Sequence, residues 1–329
     1  MVSGSFGVAD RSTGHAAVPP MSEAHPLMRQ PSGEQIQIAS GDQRVVVVEI
    51  GGGLRSYTVG GDDVLDGYPA DRMCDAGRGQ LLTPWPNRLE DGSYTFEGRT
   101  HQLPLTEVPN RNAIHGLVRW SAWTVAKRGP DRVVMAHSLR PQPGYPFTLD
   151  LRTEYVVAAA GLTVRMTATN VGAGRCPFGC GMHPYLTLGK VPVDPLELRV
   201  PARTVLETNE RCLPTGSASV AGTDFDFRNG RAIGTLRLDH CFADLDRDAA
   251  GRATVELRDL SGGARRTLWV DAAFPYLMVF SGDTLGDAAR RSVAVEPMTC
   301  PPNAFRSGDD LVRLEPGGSW TGSWGITTT

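Results

Sequence analysis

The sequence predicts an all-β fold, a large antiparallel β-sandwich, and three observations carry that prediction. Short runs rich in Val, Ile, Leu and Thr alternate apolar and polar residues with a period of two, which sends successive side chains to opposite faces of a strand. Turn-forming groups built on Gly, Pro, Asn, Asp and Ser punctuate these runs at short intervals. No stretch keeps the apolar spacing of an amphipathic helix for three turns. Connections this short leave no room for helical crossovers, so neighbouring strands should run antiparallel.

Residues 1 to 35 are rich in Gly, Ser, Pro, Ala and His without periodicity and read as a disordered extension or an over-long start, with Met21 or Met28 as other first residues. Residues 36–329 read as one β-sandwich domain, because no break in composition and no internal repeat divides them. Arg44 to Ile50 is a β-branched strand that stops at Gly51, Gly52 and Gly53. Asp91-Gly92 and Pro143-Gly144 mark turns. Leu162, Val164, Met166 and Ala168 then alternate with Thr163, Arg165, Thr167 and Thr169, a half-buried strand. After the turn at Asn229-Gly230 come strands at Ala253 to Leu257, Thr267 to Asp271, Tyr276 to Phe280 and Ser292 to Glu296. Turns at Ser261 to Gly263 and Pro316 to Gly318 complete the series.

Charge and cysteine content exclude several function classes. The 33 basic and 36 acidic residues are spread along the chain, for a net charge of −3, which predicts neither a nucleic-acid partner nor a polybasic membrane contact. No N-terminal stretch joins a basic start to an apolar run, and the longest apolar runs, such as Ala272 to Phe280, are too short to span a bilayer. The cytoplasm is the expected location. Of six cysteines only Cys176 and Cys180 are close, and no second pair completes a zinc site, so ordinary buried thiols and no metal are expected.

Four segments break the strand rhythm with polar residues set among Pro, Gly and aromatics: Leu82 to Arg88, Asn112 to Gly116, Gly181 to Tyr185 and Glu296 to Phe305. Rigid loops at strand ends are common seats of function. A fifth, Leu238 to Phe242, sets Asp239 and His240 in an otherwise apolar turn. Taken singly, each has a plain structural reading: Arg88 a solvated strand cap, Asp239 a turn former, Glu296 the exposed end of its strand. By pattern alone the chain is a carbohydrate-active or ligand-binding β-sandwich.

Taken together, the segments resemble the aldose 1-epimerase (galactose mutarotase) family over nearly all of residues 36–329. The match includes Asn87-Arg88-Leu89 with Gly92 to Phe96 and Gly98, Asn112 to Gly116, His183-Pro184-Tyr185, and Leu238-Asp239-His240. It closes with Val295-Glu296-Pro297, Pro301 to Phe305, Pro316-Gly317 and Trp324-Gly325. The wording around Trp85 to Arg88 and His183 to Leu186 looks like a bacterial branch rather than the animal galactose enzymes. The resemblance implies an antiparallel β-sandwich with its site in a cleft on one sheet face. It implies Glu296 as general base and His183 as general acid, with Asn87, Arg88, His115 and Asp239 binding the sugar. It implies a small-molecule sugar substrate and no cofactor, in a monomer or homodimer. One departure stands out: where the family often has a sugar-binding Gln, this chain has Met278, which has no comparable donor.

These residue types suit anomer interconversion, which takes a proton from the C1 hydroxyl and gives one to the ring oxygen, with no cofactor. Glu and His have ordinary pKa values of about 4.3 and 6.5, which bracket the range where one is charged and the other can donate. On this reasoning acid and base stand on opposite sides of the sugar, and His183 should be held protonated by a nearby carboxylate, Asp239 or Glu296. Arg88 offers a fork of donors, and Trp85 and Phe305 either give the apolar sugar face a platform or pack in the core. The alternatives are a non-catalytic carbohydrate-binding or sensing protein, a glycoside hydrolase using Glu296 and Asp239, and an epimerase of a phosphorylated or sulfonated sugar. The last would need further cations such as Arg55, Arg78 or Arg119.

Overall fold

The computed structural model describes residues 1, 2, 4 and 30–328. The extension expected over residues 1–35 therefore lies mostly outside the described residues, and the first strand begins at Gln35. As the alternation predicts, the described residues are mainly antiparallel strand. Among the described residues helix is confined to one α-turn at Ala304–Ser307 and a 3-10 turn at Gly286–Ala288. No helix among the described residues is long and apolar enough to cross a membrane, and all six cysteines are free thiols.

Two large sheets dominate. The nine-stranded sheet is built around Leu149–Ala158, Gly161–Asn170 and Ser319–Thr328, each ten residues long. In Gly161–Asn170 the predicted alternation sends Leu162, Val164, Met166 and Ala168 into the core. Arg132–Leu139 and Leu149–Ala158, which the sequence reading did not single out, extend the same sheet. The eight-stranded sheet runs in the order Pro214–Ser219, Ala202–Thr208, Asp239–Leu245, Tyr276–Phe280, Val293–Met298, Gly181–Met182 and Leu81–Leu82. Tyr185–Leu186 also pairs with Val293–Met298. Side chains from both sheets merge in one apolar cluster.

Alternation in the eight-stranded sheet separates packing from the site. Val205, Phe242, Leu277, Val279, Val293 and Val295 point into the main core. Their neighbours Cys241, Met278 and Met298 belong to a second, smaller apolar cluster, with Leu206 and Tyr276 packed against it. Because side chains alternate along a strand, Asp239, Phe280 and Glu296 share this second face. Every residue of Val293–Met298 is buried, so this central strand is covered on both sides. The strand continues past Glu296 through Pro297 to Met298. Glu296 therefore sits inside the strand, 2% exposed, and is not the exposed strand end of its plain sequence reading.

Candidate active site

A cleft of about 290 Å³ opens on that second face, and all six residues singled out from the sequence line it: Asn87, Arg88, His115, His183, Asp239 and Glu296. Its volume is at the small end of ligand pockets. At its floor His183 Nε2 lies 3.2 Å from Glu296 Oε1, and both side chains are almost fully buried. Glu296 Oε2 and His183 Nδ1 are buried with no hydrogen-bond partner in the protein. Burial pushes the Glu296 carboxyl well above its ordinary range, with Asp239 adding to the rise and Arg88 opposing it. Burial also pushes His183 down, to about 3, and Arg119, Arg78 and Arg88 add to the fall. Desolvation and three guanidinium groups therefore favour the neutral ring, against the expectation of a histidine held protonated by a carboxylate. Acid and base candidates also share one wall of the cleft rather than facing each other across it.

Two of the binding residues, Asn87 and His115, reach the cleft from interlocked loops. Asn87 and His115 both adopt left-handed backbone conformations, with φ of 55° and 63°. Such a conformation is uncommon for His and recurs where the surroundings over-determine it. The His115 N–H donates to Asn87 O at 2.9 Å, and the Asn87 N–H donates to His115 Nδ1 at 3.2 Å. Because Nδ1 accepts, the proton of the neutral ring sits on Nε2. Burial, with His183 and nearby arginines, keeps His115 far below its ordinary pKa. His115, His183 and Glu296 each bring one nitrogen or oxygen within 4.8 Å of the others. With its proton on Nε2, His115 presents a donor and no lone pair, so the three do not form a ligand set for a metal. The arrangement suits hydrogen bonding and proton exchange.

Arg88 is gripped from two sides. Its Nε donates to both Glu107 oxygens at 3.0 and 3.1 Å, and Nη2 donates to Asp239 Oδ2 at 3.3 Å. Burial disfavours its charge, but Asp239 and Glu107 outweigh that and hold it cationic. Asn112 supports Glu107 through a 2.8 Å bond. Asn303, from the Pro-Pro-Asn segment, donates its N–H to Arg88 O at 2.7 Å and accepts from the Glu90 N–H at 3.0 Å. That segment therefore braces the Arg88 strand. Of the two readings of Trp85 and Phe305 the structure shows core packing: both are 3% exposed, pack on each other at 5.7 Å and belong to the main core. Met278 does not line the cleft.

His183 sits in a backbone cradle formed by residues 77–80. The Gly79 N–H donates to His183 O at 2.9 Å, and the His183 N–H donates to Gln80 O at 3.1 Å. Gly77 abuts the ring so closely that a Cβ there would stand 2.9 Å from His183 Cδ2. Tyr185 stacks on the ring at 4.8 Å and 14°, and the Arg78 guanidinium covers Tyr185 at 4.9 Å. The sequence reading gave no role to Tyr185 or Trp120, which line the cleft, and named Arg119 only for an anionic sugar. Trp120 is 51% exposed at the cleft. The available signal was the Arg119-Trp120 pair four residues beyond His115, a cation and a large aromatic in a loop otherwise made of Gly, Leu, Val, Ser and Ala.

A family profile described as aldose 1-epimerase matches residues 34–327. Over 288 residues the chain is 35% identical to YihR of Escherichia coli strain K12, covering 87% of this chain and 90% of that protein. Galactose mutarotase of Bos taurus is 25% identical over 274 residues, 77% of this chain and 78% of the bovine one. The crystal structure of the GalM/aldose epimerase homologue from C. elegans superposes with a TM-score of 0.80 at 19% identity. The superposition covers 90% of this chain and 98% of that one. At that identity the likeness speaks for the fold.

Proposed function

The chain belongs to the aldose 1-epimerase family, and on that premise we propose that its cleft interconverts the α and β anomers of a free aldose. The observation that carries this reading is the buried Glu296–His183 pair, 3.2 Å apart, with one carboxylate oxygen unpartnered. The C1 hydroxyl oxygen and the ring oxygen are bonded to the same carbon, so adjacent acid and base on one wall can serve both.

The pair holds one exchangeable proton and no net charge. With the proton on His183, Glu296 takes the C1 hydroxyl proton while His183 gives its own to the ring oxygen, and the C1–O5 bond breaks. The proton then rests on Glu296, the state that burial favours. After rotation about C1–C2 the C5 hydroxyl attacks the aldehyde from the other face, Glu296 returns its proton to O1, and His183 takes the one from O5. Proton count is conserved. Arg88 and the His115 Nε2–H donate to sugar oxygens, and Asp239 accepts from a hydroxyl.

Polarimetry of freshly dissolved α-D-glucose, α-D-galactose and other aldoses tests the reading; a rate equal to buffer for every sugar, neutral or anionic, would overturn it. The pH profile is a sharper check. A second proton reaches the pair only as pH falls toward the depressed His183 value of about 3, which then blocks Glu296 from accepting. The rate should therefore stay flat from about pH 7 to about pH 5, where an ordinary histidine acid or base would titrate. A break near 6.5 would contradict the assignment.

One observation favours an anionic sugar as the substrate. Arg119 lines the cleft and is partly desolvated, which pushes its pKa down. Its guanidinium donates to Gln80 Oε1 at 3.4 Å and the Ile114 carbonyl at 3.3 Å and lies over the Trp120 ring at 5.9 Å, and among the described residues no carboxylate pairs with it. A phosphate or sulfonate on the sugar would complete it. On that reading Arg119→Met raises KM for an anionic aldose about tenfold or more while changing a neutral aldose much less. Equal losses on both would sink it.

A further inference from the structure

Glu296 has few polar neighbours on its own sheet face. Directly across the ladder its partner is Met278, and opposed side chains on one face stand about 5 Å apart at Cβ. Two residues along its own strand, on either side, are Ala294 and Met298, both fully buried. On the other flank are Gly181 and Tyr185, which bracket His183. Cys241 pairs with Met278 one strand further out, and Cys241, Met278 and Met298 form a cluster separate from the main core. Their exposures are 1%, 3% and 0%, so no water-filled path lies among them.

We propose that Met278, with Met298 and Cys241, forms a sulfur-lined collar that denies Glu296 every protein donor except His183, so that the sugar's hydroxyl becomes the carboxylate's second partner. Met278 is a positioning residue in this scheme and acts through Glu296. Thioether and thiol groups fill the space against the carboxyl and offer almost no hydrogen bond. The unpartnered Glu296 Oε2 is the mark of that arrangement. A buried carboxylate without donors is a costly ion, and an oxygen in that state gains more from an arriving hydroxyl than one already satisfied. The charged and titratable groups around Glu296 are His183 and Tyr185 on one flank, His115 with a ring nitrogen within 4.8 Å, and Asp239 and Cys241 from Asp239–Leu245. Arg88, at the start of the short strand Arg88–Glu90, completes the set. Burial and Asp239 raise the carboxyl pKa, against Arg88, in keeping with the collar.

The inference rests on Glu296 being the base of the proposed reaction, yet it can be read without turnover. The protonated-carboxyl infrared band of Glu296, isolated by subtracting the Glu296→Gln spectrum, is followed against pH in the sugar-free protein. Met278→Gln places an amide donor beside the Glu296 carboxyl and should lower the titration midpoint by about one unit or more, while Met278→Leu leaves it in place. In polarimetry Met278→Gln should lower kcat about tenfold through the weaker base, with a smaller change in KM. A Met278→Gln midpoint equal to wild type, or an equal shift in Met278→Leu, overturns the collar. Should Met278→Gln not fold, Cys241→Ser takes its place, with a smaller shift in the same direction expected and no shift overturning the proposal. A wild type that turns over no sugar while the infrared shifts appear as expected overturns the functional reading alone.

Discussion

Glu296→Gln is expected to lose about 10²- to 10⁴-fold in the rate of anomer interconversion, down to the buffer rate, and to gain thermal stability. The amide keeps the shape of the side chain but cannot accept the C1 hydroxyl proton. The stability gain follows from the environment: Glu296 is 2% exposed, one of its oxygens has no partner, and burial raises its carboxyl pKa well above the ordinary range. A group with its folded pKa raised above the unfolded value contributes stability that is full below the unfolded pKa and is lost as pH rises through the folded one. The wild type therefore weakens on going from pH 4 toward neutrality through this residue, and the Gln variant does not. Calorimetry at pH 5 and pH 8 should show a Tm advantage of about 2–4 °C for the variant at the higher pH and less at the lower. A variant that is less stable at both values, or that keeps its activity, would remove Glu296 from the base role or from its desolvated setting.

Gly79→Ala should do the reverse and destroy the fold around an intact chemistry, at a cost of about 4 kcal/mol or more. Gly79 has φ of +63°, and a Cβ there would stand 1.8 Å from the backbone oxygen of Leu54. Neither side can yield, because the Leu54 N–H donates to Gly79 O at 2.9 Å and the Gly79 N–H donates to His183 O at 2.9 Å. Gly77 offers the contrast. Its added Cβ would meet the His183 ring, a side chain that can tilt, so Gly77→Ala should cost about 1 kcal/mol for the backbone conformation and show its main effect in kcat. Urea unfolding separates the two. A Gly79→Ala variant within 1 kcal/mol of wild type would mean that the cradle under His183 is softer than its geometry implies.

The sandwich was legible because alternation is local: Leu162 through Thr169 declares both its strand and its faces within eight residues. The site was legible only through the resemblance of whole segments, since Arg88, His183, Asp239 and Glu296 meet in space while lying far apart in the chain. What was not legible depended on depth. The pairing of Glu296 with Met278, and the passage of its strand through Pro297, follow from ladder register, which no local pattern states. The depressed pKa of His183 follows from burial and from arginines at positions 78, 88 and 119, each on a different segment. Trp85 and Phe305 looked like cleft residues because their segments contain cleft residues, yet each side chain turns into the core.

The division of the eight-stranded sheet into a packing face and a reactive face makes the chemistry a matter of parity. In Val293–Met298 the residues at 293 and 295 belong to the main core and Glu296 to the cleft, so losing or gaining one residue inside that strand would drive the carboxyl into the core and a valine into the cleft. The same holds for Tyr276–Phe280, where Leu277 and Val279 face one way and Met278 and Phe280 the other. The turn between Ala253–Arg258 and Arg265–Val270 is under no such arithmetic, since the residues from Leu260 to Gly263 are exposed and join two strands at their ends. Changes of length are thus affordable at the rim of this molecule and ruinous at its centre, whatever the residue inserted.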